Sequence, residues 1–247
     1  MPQNEPDPVF LASMRLCYQP IIDLADQRPE YAEVLLRRAG ENGELHGPED
    51  FLSVMGCPGQ ALPLTLAIMR RALGEYRAHS LGTTSLPLAF NLPLDVLLHP
   101  ALGREIEALC STSGIAPGRI RFELTETSPV VDFATAAASI TKLHASGHHI
   151  ALDDVSPGMP YLAPLMSLPV SAIKFSNTLV ASPEGLPFIR ATTALAAAHR
   201  LDIVAEGIET QAQLATMRKA GVTHGQGYLF ARPLPAGSLG HALHSAA

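Results

Sequence analysis

The segment HIALDDVSPG, residues 149–158, runs from an apolar stretch into two adjacent aspartates and then into turn-forming residues. Its apolar part, Ile150 to Leu152, is continuous rather than alternating. That is the pattern of a strand buried on both faces in a parallel sheet. Asp153 and Asp154 set two like charges where such a strand ends. Neighbouring carboxylates repel, and burying them unpaired is costly. Either water solvates them in a turn, which Ser156, Pro157 and Gly158 favour, or a positive group lies between them.

The same grammar repeats along the chain. Short apolar runs recur as MRLCYQPII (14–22), YAEVLLR (31–37), LPLAFNL (86–92) and IRFEL (120–124), then HIALDD (149–154), AIKF (172–175), DIVAEG (202–207) and QGYLF (226–230). Between them lie segments of helical period: 65–78, 101–110, 132–146, 188–200 and 210–221. In the third, Phe133, Ala136, Ala137, Ile140 and Leu143 recur at three- and four-residue spacings, an amphipathic signature. Gly147 and Gly221 follow helical segments where a left-handed residue is expected, and Thr210 is set to cap the last helix. Eight strand candidates alternating with helices predict an α/β fold, a (β/α)8 barrel rather than an open sheet. Residues 1–13 read as a short N-terminal extension and 14–247 as a single barrel domain. No repeat beyond the βα alternation is present.

Composition narrows the functional classes. Of 247 residues, 47% are hydrophobic and 16% charged, a globular balance, and the net charge of −6 gives no basic footprint for DNA or RNA. An anionic substrate must then be met by local cations. No apolar run is long enough to span a bilayer, and the acidic, proline-rich start does not resemble a signal peptide. Cys17, Cys57 and Cys110 share no metal-type spacing and read as buried or reduced thiols of a reducing compartment, so a cytoplasmic setting is expected.

Polar residues recur at the ends of the apolar runs: Glu33, Asn91, Glu123, Asp153, Asp154, Lys174, Glu206 and Gln226. In a barrel of parallel strands those ends converge on one face, where chemistry sits. The inventory is rich in oxygen ligands and lacks histidine and cysteine, which suits Mg²⁺, Mn²⁺ or Ca²⁺ better than zinc. Each residue alone has a plain explanation as a solvated loop start, cap or turn; their common position is what argues for a site. The one i, i+4 histidine pair, His144 and His148, reads as a surface or helix-end feature. Two divalent ions between such carboxylates would activate a water for phosphodiester cleavage and let an acidic protein hold a polyanion.

The stretches YQPIIDL, EVLLR, FNLP, FELTET, ALDD, LPVSAIK, VAEGIET and GQGYLFARPLP, in this order, resemble the EAL-domain family of cyclic di-GMP phosphodiesterases over roughly Met14 to Leu234. The resemblance implies a TIM-like barrel whose first strand is antiparallel. It implies hydrolysis of cyclic di-GMP to linear pGpG with two Mg²⁺ or Mn²⁺ ions. Carried onto this chain, it implies that Glu33, Asn91, Glu123, Asp153, Asp154 and Glu206 hold metal. Lys174 orients the attacking water, with Glu206 beside it as the second catalytic residue. Gln19, Leu35, Arg37 and Gln226 contact substrate, and Glu126 and Glu209 support the site. Cyclic di-GMP is the implied partner; a homodimer and a protein signalling partner stay open, and neither a nucleic-acid duplex nor a membrane is expected.

Several positions depart from the family pattern. EAL reads EVL here, so Val34 replaces alanine; KID reads KFS, and NLS reads NLP. The loop DDFGTG reads DDVSPG, so Val155 replaces an aromatic anchor, Ser156 a glycine, and Pro157 restricts its neighbour. The alternative reading is therefore a non-catalytic cyclic di-GMP receptor or adaptor with a degenerate loop after Asp153 and Asp154.

Overall fold

The computed structural model describes residues 8–40, 42–49, 57, 59–79, 86–125 and 133–239. A helix, Pro8–Ser13, leads into β1 (Met14–Asp23), which turns back into β2 (Pro29–Ala39). The turn is local chemistry: the Asp23 carboxylate accepts the Ala25 N–H at 2.7 Å, and Gln27 takes a left-handed φ of 63°. The two-residue β3 (Leu45–His46) pairs outside the barrel on β2. The remaining strands are β4 (Leu88–Pro93), β5 (Ile120–Thr125), β6 (His149–Leu152), β7 (Ala172–Phe175), β8 (Asp202–Ala205) and β9 (His224–Gly225).

The sheet closes on itself. Parallel pairing runs from β2 through β4, β5, β6, β7 and β8 to β9, and β1 joins β9 to β2, antiparallel to both. An eight-stranded barrel with its first strand reversed is thus the architecture, as expected. Helices Ala61–Ala78, Leu102–Ser113, Phe133–Ala145, Leu186–Ala198 and Gln211–Lys219 pack outside it. Each offers an apolar stripe; in the first, Leu64, Met69, Leu73 and Tyr76 are buried. The helix ends follow the expected signals: Gly147 and Gly221 have φ of 92° and 87°, and Thr210 closes a reciprocal capping box with Gln213.

Two expectations are corrected. Residues 226–230 do not form a strand; the last one is His224–Gly225, and the chain then turns beneath Ile208, whose carbonyl accepts the Leu229 N–H at 3.0 Å. A side chain at Gly227 would strike the Ile208 backbone, so the turn needs glycine there. His148 does close a helix end, its N–H donating to the Leu143 carbonyl at 3.2 Å, but it is not on the surface: it is buried, with Nδ1 3.1 Å from the Pro117 carbonyl and its ring edge-on to Phe122.

Strand periodicity then fills the barrel in layers. Side chains two apart share a face. The middle of the barrel is a small apolar cluster of Ile21, Tyr31, Ala89 and Val204. Two residues on, toward the C-terminal mouth of the parallel strands, come Glu33, Asn91 and Glu206; the reversed β1 reaches the same level at Gln19.

Candidate active site

Each of the eight barrel strands contributes one polar residue at that mouth. Gln19, Glu33, Asn91, Glu123 and Lys174 lie within strands; Asp153, Glu206 and Gln226 directly follow the ends of β6, β8 and β9. Backbone register places them level: Gln19 pairs with Glu33, and Asn91 with Glu123. Residues up to 207 positions apart therefore meet because the barrel closes.

Lys174 is the hub and is 0% exposed. Its Nζ lies 2.6 Å from Glu206, 2.8 Å from Glu123, 3.3 Å from Asp153 and 3.6 Å from Glu33. Burial alone would drive the ammonium to lose its proton, but these four carboxylates outweigh it and hold the lysine pKa well above its usual value. Four carboxylates facing one ammonium still leave a formal charge of −3 if all are ionised. The strain appears in the titration. Burial pushes the carboxyls of Glu123 and Asp153 up against the pull of Lys174, and Glu206 is pushed up to about 7. Glu33 is the exception. Burial disfavours its charge, but Lys174, Gln226 and Asn91 bring its pKa below the usual value. Asn91 Nδ2 donates to Glu33 Oε1 at 2.9 Å and Gln226 Nε2 to Glu33 Oε2 at 2.8 Å.

Several acceptors here lack a good donor. Glu123 Oε1 and Gln226 Oε1 are buried without a hydrogen bond, and Asp153 Oδ1 has only the Lys174 ammonium, 3.3 Å away and poorly aligned. Buried acceptors are nearly always satisfied, and a bare oxygen set beside excess negative charge fits a hard cation. Asp153, Asp154 and Glu206 also bring ligand oxygens within 4.8 Å of one another.

The two aspartates are presented differently from one another. Asp153 is buried and aimed at Lys174, whereas Asp154 is exposed and takes a left-handed φ of 50°. The turned backbone brings the Asp154 carboxylate back toward its neighbour. The altered loop is anchored. Val155 is fully buried, and its N–H donates to the Lys174 carbonyl at 2.9 Å. The valine thus ties the loop to the strand that carries the hub.

The other expected residues divide. Gln19 is buried in the site; it accepts from Gln226 at 3.1 Å and donates to the Ala231 carbonyl at 3.0 Å. Leu35 and Arg37 continue the Glu33 face of β2 beyond the mouth, both half-buried. Arg37 donates to the Leu36 carbonyl at 2.8 Å. Glu209 is exposed, and its backbone N–H donates to the Gln213 side chain at the start of the last helix. Glu126 lies outside the described residues.

Sequence reasoning missed the opposite mouth of the barrel. There Glu30, Arg121, Asp202 and His224 cluster; Arg121 and His224 sit two residues before Glu123 and Gln226, a period-two signal visible in the sequence. Among the described residues, no helix is long and apolar enough to cross a membrane.

Comparisons with known proteins agree with the barrel fold. The family model for the EAL domain matches residues 11–233. The chain is 31% identical over 231 residues to the cyclic di-GMP phosphodiesterase NbdA of Pseudomonas aeruginosa, covering 92% of this chain and 30% of that protein. It is 31% identical over 218 residues to PdeB of Escherichia coli, a probable cyclic di-GMP phosphodiesterase, covering 88% and 42%. The chain therefore spans less than half the length of these relatives. Among solved structures, the MucR phosphodiesterase in complex with cyclic di-GMP superposes with a TM-score of 0.84 at 26% identity, over 92% of this chain and 94% of that one.

Proposed function

The chain belongs to the EAL-domain family, and from that premise we propose that it is a metal-dependent phosphodiesterase that hydrolyses cyclic di-GMP to linear pGpG. The observation that carries the proposal is the ring of four carboxylates sharing the single buried ammonium of Lys174. Such a ring is costly unless further positive charge enters it. A core free of that task could replace it with apolar side chains.

Two Mg²⁺ or Mn²⁺ ions fit the donors. Glu33, Asn91, Glu123 and Asp153 would hold one; Asp153, Asp154 and Glu206 would hold the other. When bound, such ions activate a water and neutralise charge developing on the phosphate. In the reaction the water oxygen bonds to phosphorus, the bond from phosphorus to the ribose 3′ oxygen breaks, and that oxygen takes a proton. Lys174, fixed and charged, donates toward the attacking oxygen and orients it. Glu206, 2.6 Å from the Lys174 Nζ, holds that ammonium in place for this task. Arg37, beyond the mouth on the Glu33 face, presents a planar guanidinium suited to phosphate oxygens. Gln19 and Leu35 line the entry. The anchoring of Val155 favours turnover over the receptor reading, because it ties the loop to the strand of Lys174 while Asp154 stays within reach of Asp153 and Glu206.

The test is chromatographic. Purified protein with cyclic di-GMP and Mg²⁺ or Mn²⁺ is expected to accumulate pGpG, and Glu33→Ala is expected to abolish it. Intact cyclic di-GMP bound tightly by the wild type would instead make the chain a receptor.

A further inference from the structure

Glu30 is the extra residue of a β-bulge. β1 and β2 pair Ile21 with Tyr31 and then Ile22 with Pro29, so Glu30 has no partner opposite. A bulge re-aims a side chain. Here it turns Glu30 toward His224 on the far side of β1, and the Glu30 carboxylate meets the His224 Nε2. Arg121 donates to the other Glu30 oxygen at 2.7 Å and lies 4.3 Å over the Tyr31 ring; Thr223 Oγ1 lies 2.8 Å from His224 Nδ1. Asp202, Asp23 and His149 complete the charged surroundings.

The strands that this contact joins also carry the active ring. Glu33 lies three residues after Glu30 on β2, and Gln226 two residues after His224. β9 is only two residues long, and β1, which separates it from β2, loses its regular register at the level of the contact. The ladder with β8 and the Gln226 N–H on the Ala205 carbonyl at 2.9 Å hold β9 on that side, but toward β2 its backbone is linked only through the irregular β1. We propose that the Glu30–His224 pair is a positioning device: it fixes β9 against the bulged β2 and so holds Gln226 on Glu33 and Gln19 at the opposite mouth. Gln226 in turn orients the Glu33 carboxylate.

The kinetic arm of the test rests on the phosphodiesterase reading; the binding arm does not. His224→Gln and Glu30→Gln are each made in the wild type and in Gln226→Ala, and two quantities are measured: kcat/KM for cyclic di-GMP, and the Mn²⁺ dissociation constant by calorimetry. Each single change is expected to lower both kcat/KM and Mn²⁺ affinity roughly fivefold, within the range that coupled positions show, and to have no further effect in Gln226→Ala. Losses that multiply undiminished in the Gln226→Ala background, or none in the wild type, would overturn the inference. If His224→Gln does not fold, Glu30→Gln completes the same cycle. A wild type that binds Mn²⁺ without turnover fails the phosphodiesterase reading only, and the Mn²⁺ cycle then decides. A wild type that does neither overturns both.

Discussion

The two mouths of one barrel use similar side chains to opposite ends. At the amino-terminal mouth, the Glu30 carboxylate meets both Arg121 and His224, so each of its oxygens has a partner within the protein. At the carboxyl-terminal mouth, Glu33, Glu123, Asp153 and Glu206 share Lys174 alone, and buried oxygens stay without donors. A cluster that satisfies itself reads as architecture; one left short of positive charge reads as a site awaiting a cation.

Lys174→Met should break the contrast most severely. Turnover to pGpG is expected to fall by about 10²- to 10⁴-fold, the scale of a lost positioned donor. Retained turnover would remove Lys174 from the mechanism. Next, Mn²⁺ at a hundred times its dissociation constant should stabilise the wild type by about 2.7 kcal/mol, read as a rise in Tm. Glu33→Gln should remove most of that rise; an unchanged shift would put the ion elsewhere.

Val155→Phe sharpens the loop's part in the site. The resemblance makes an aromatic the expected residue, yet Val155 is fully buried. Overpacking there is expected to cost about 1–3 kcal/mol in urea unfolding; a stabilised variant would show that the loop has room for the ring.

The pH dependence separates the mouths by sign. The Glu30 contact raises the His224 pKa above its ordinary 6.5 despite burial. Its contribution is complete below 6.5 and is lost as pH rises through the raised value. Glu30, bonded to His224, is lowered from 4.5 to about 2, so its contribution is complete above 4.5 and is lost as pH falls toward 2. The pair should therefore stabilise fully between pH 4.5 and 6.5, by about 1 kcal/mol after solvent screening. The stability gap between wild type and His224→Gln should be widest in that window; a gap that keeps growing at alkaline pH would contradict it. At the other mouth, Mn²⁺ affinity should weaken as pH falls below about 7, because Glu206 gains a proton that competes with the ion.

Much of this was legible in the sequence, for particular reasons. Continuous apolar runs such as IRFEL and AIKF announced buried parallel strands, and their shared polar endings marked the ring. Thr210, Gly147 and Gly221 bounded helices through local chemistry. What stayed hidden depends on events that side-chain types do not encode. The left-handed turn at Asp154 is one that aspartate tolerates better than most residues but does not demand, so its place could not be read from residue type. The bulge at Glu30 is a matter of register between two strands, and it alone turns Glu30 toward a histidine 194 positions away. The shortness of β9 follows from Gly227 packing on Ile208, a contact between separate loops.

Anomalous diffraction from crystals grown with Mn²⁺ and cyclic di-GMP tests the central claim most directly. The account predicts two manganese peaks at the carboxyl-terminal mouth, one among Glu33, Asn91, Glu123 and Asp153 and one among Asp153, Asp154 and Glu206, with none at the Glu30–His224 mouth. Manganese at the amino-terminal mouth, or an ordered nucleotide over a ring without manganese, would contradict it.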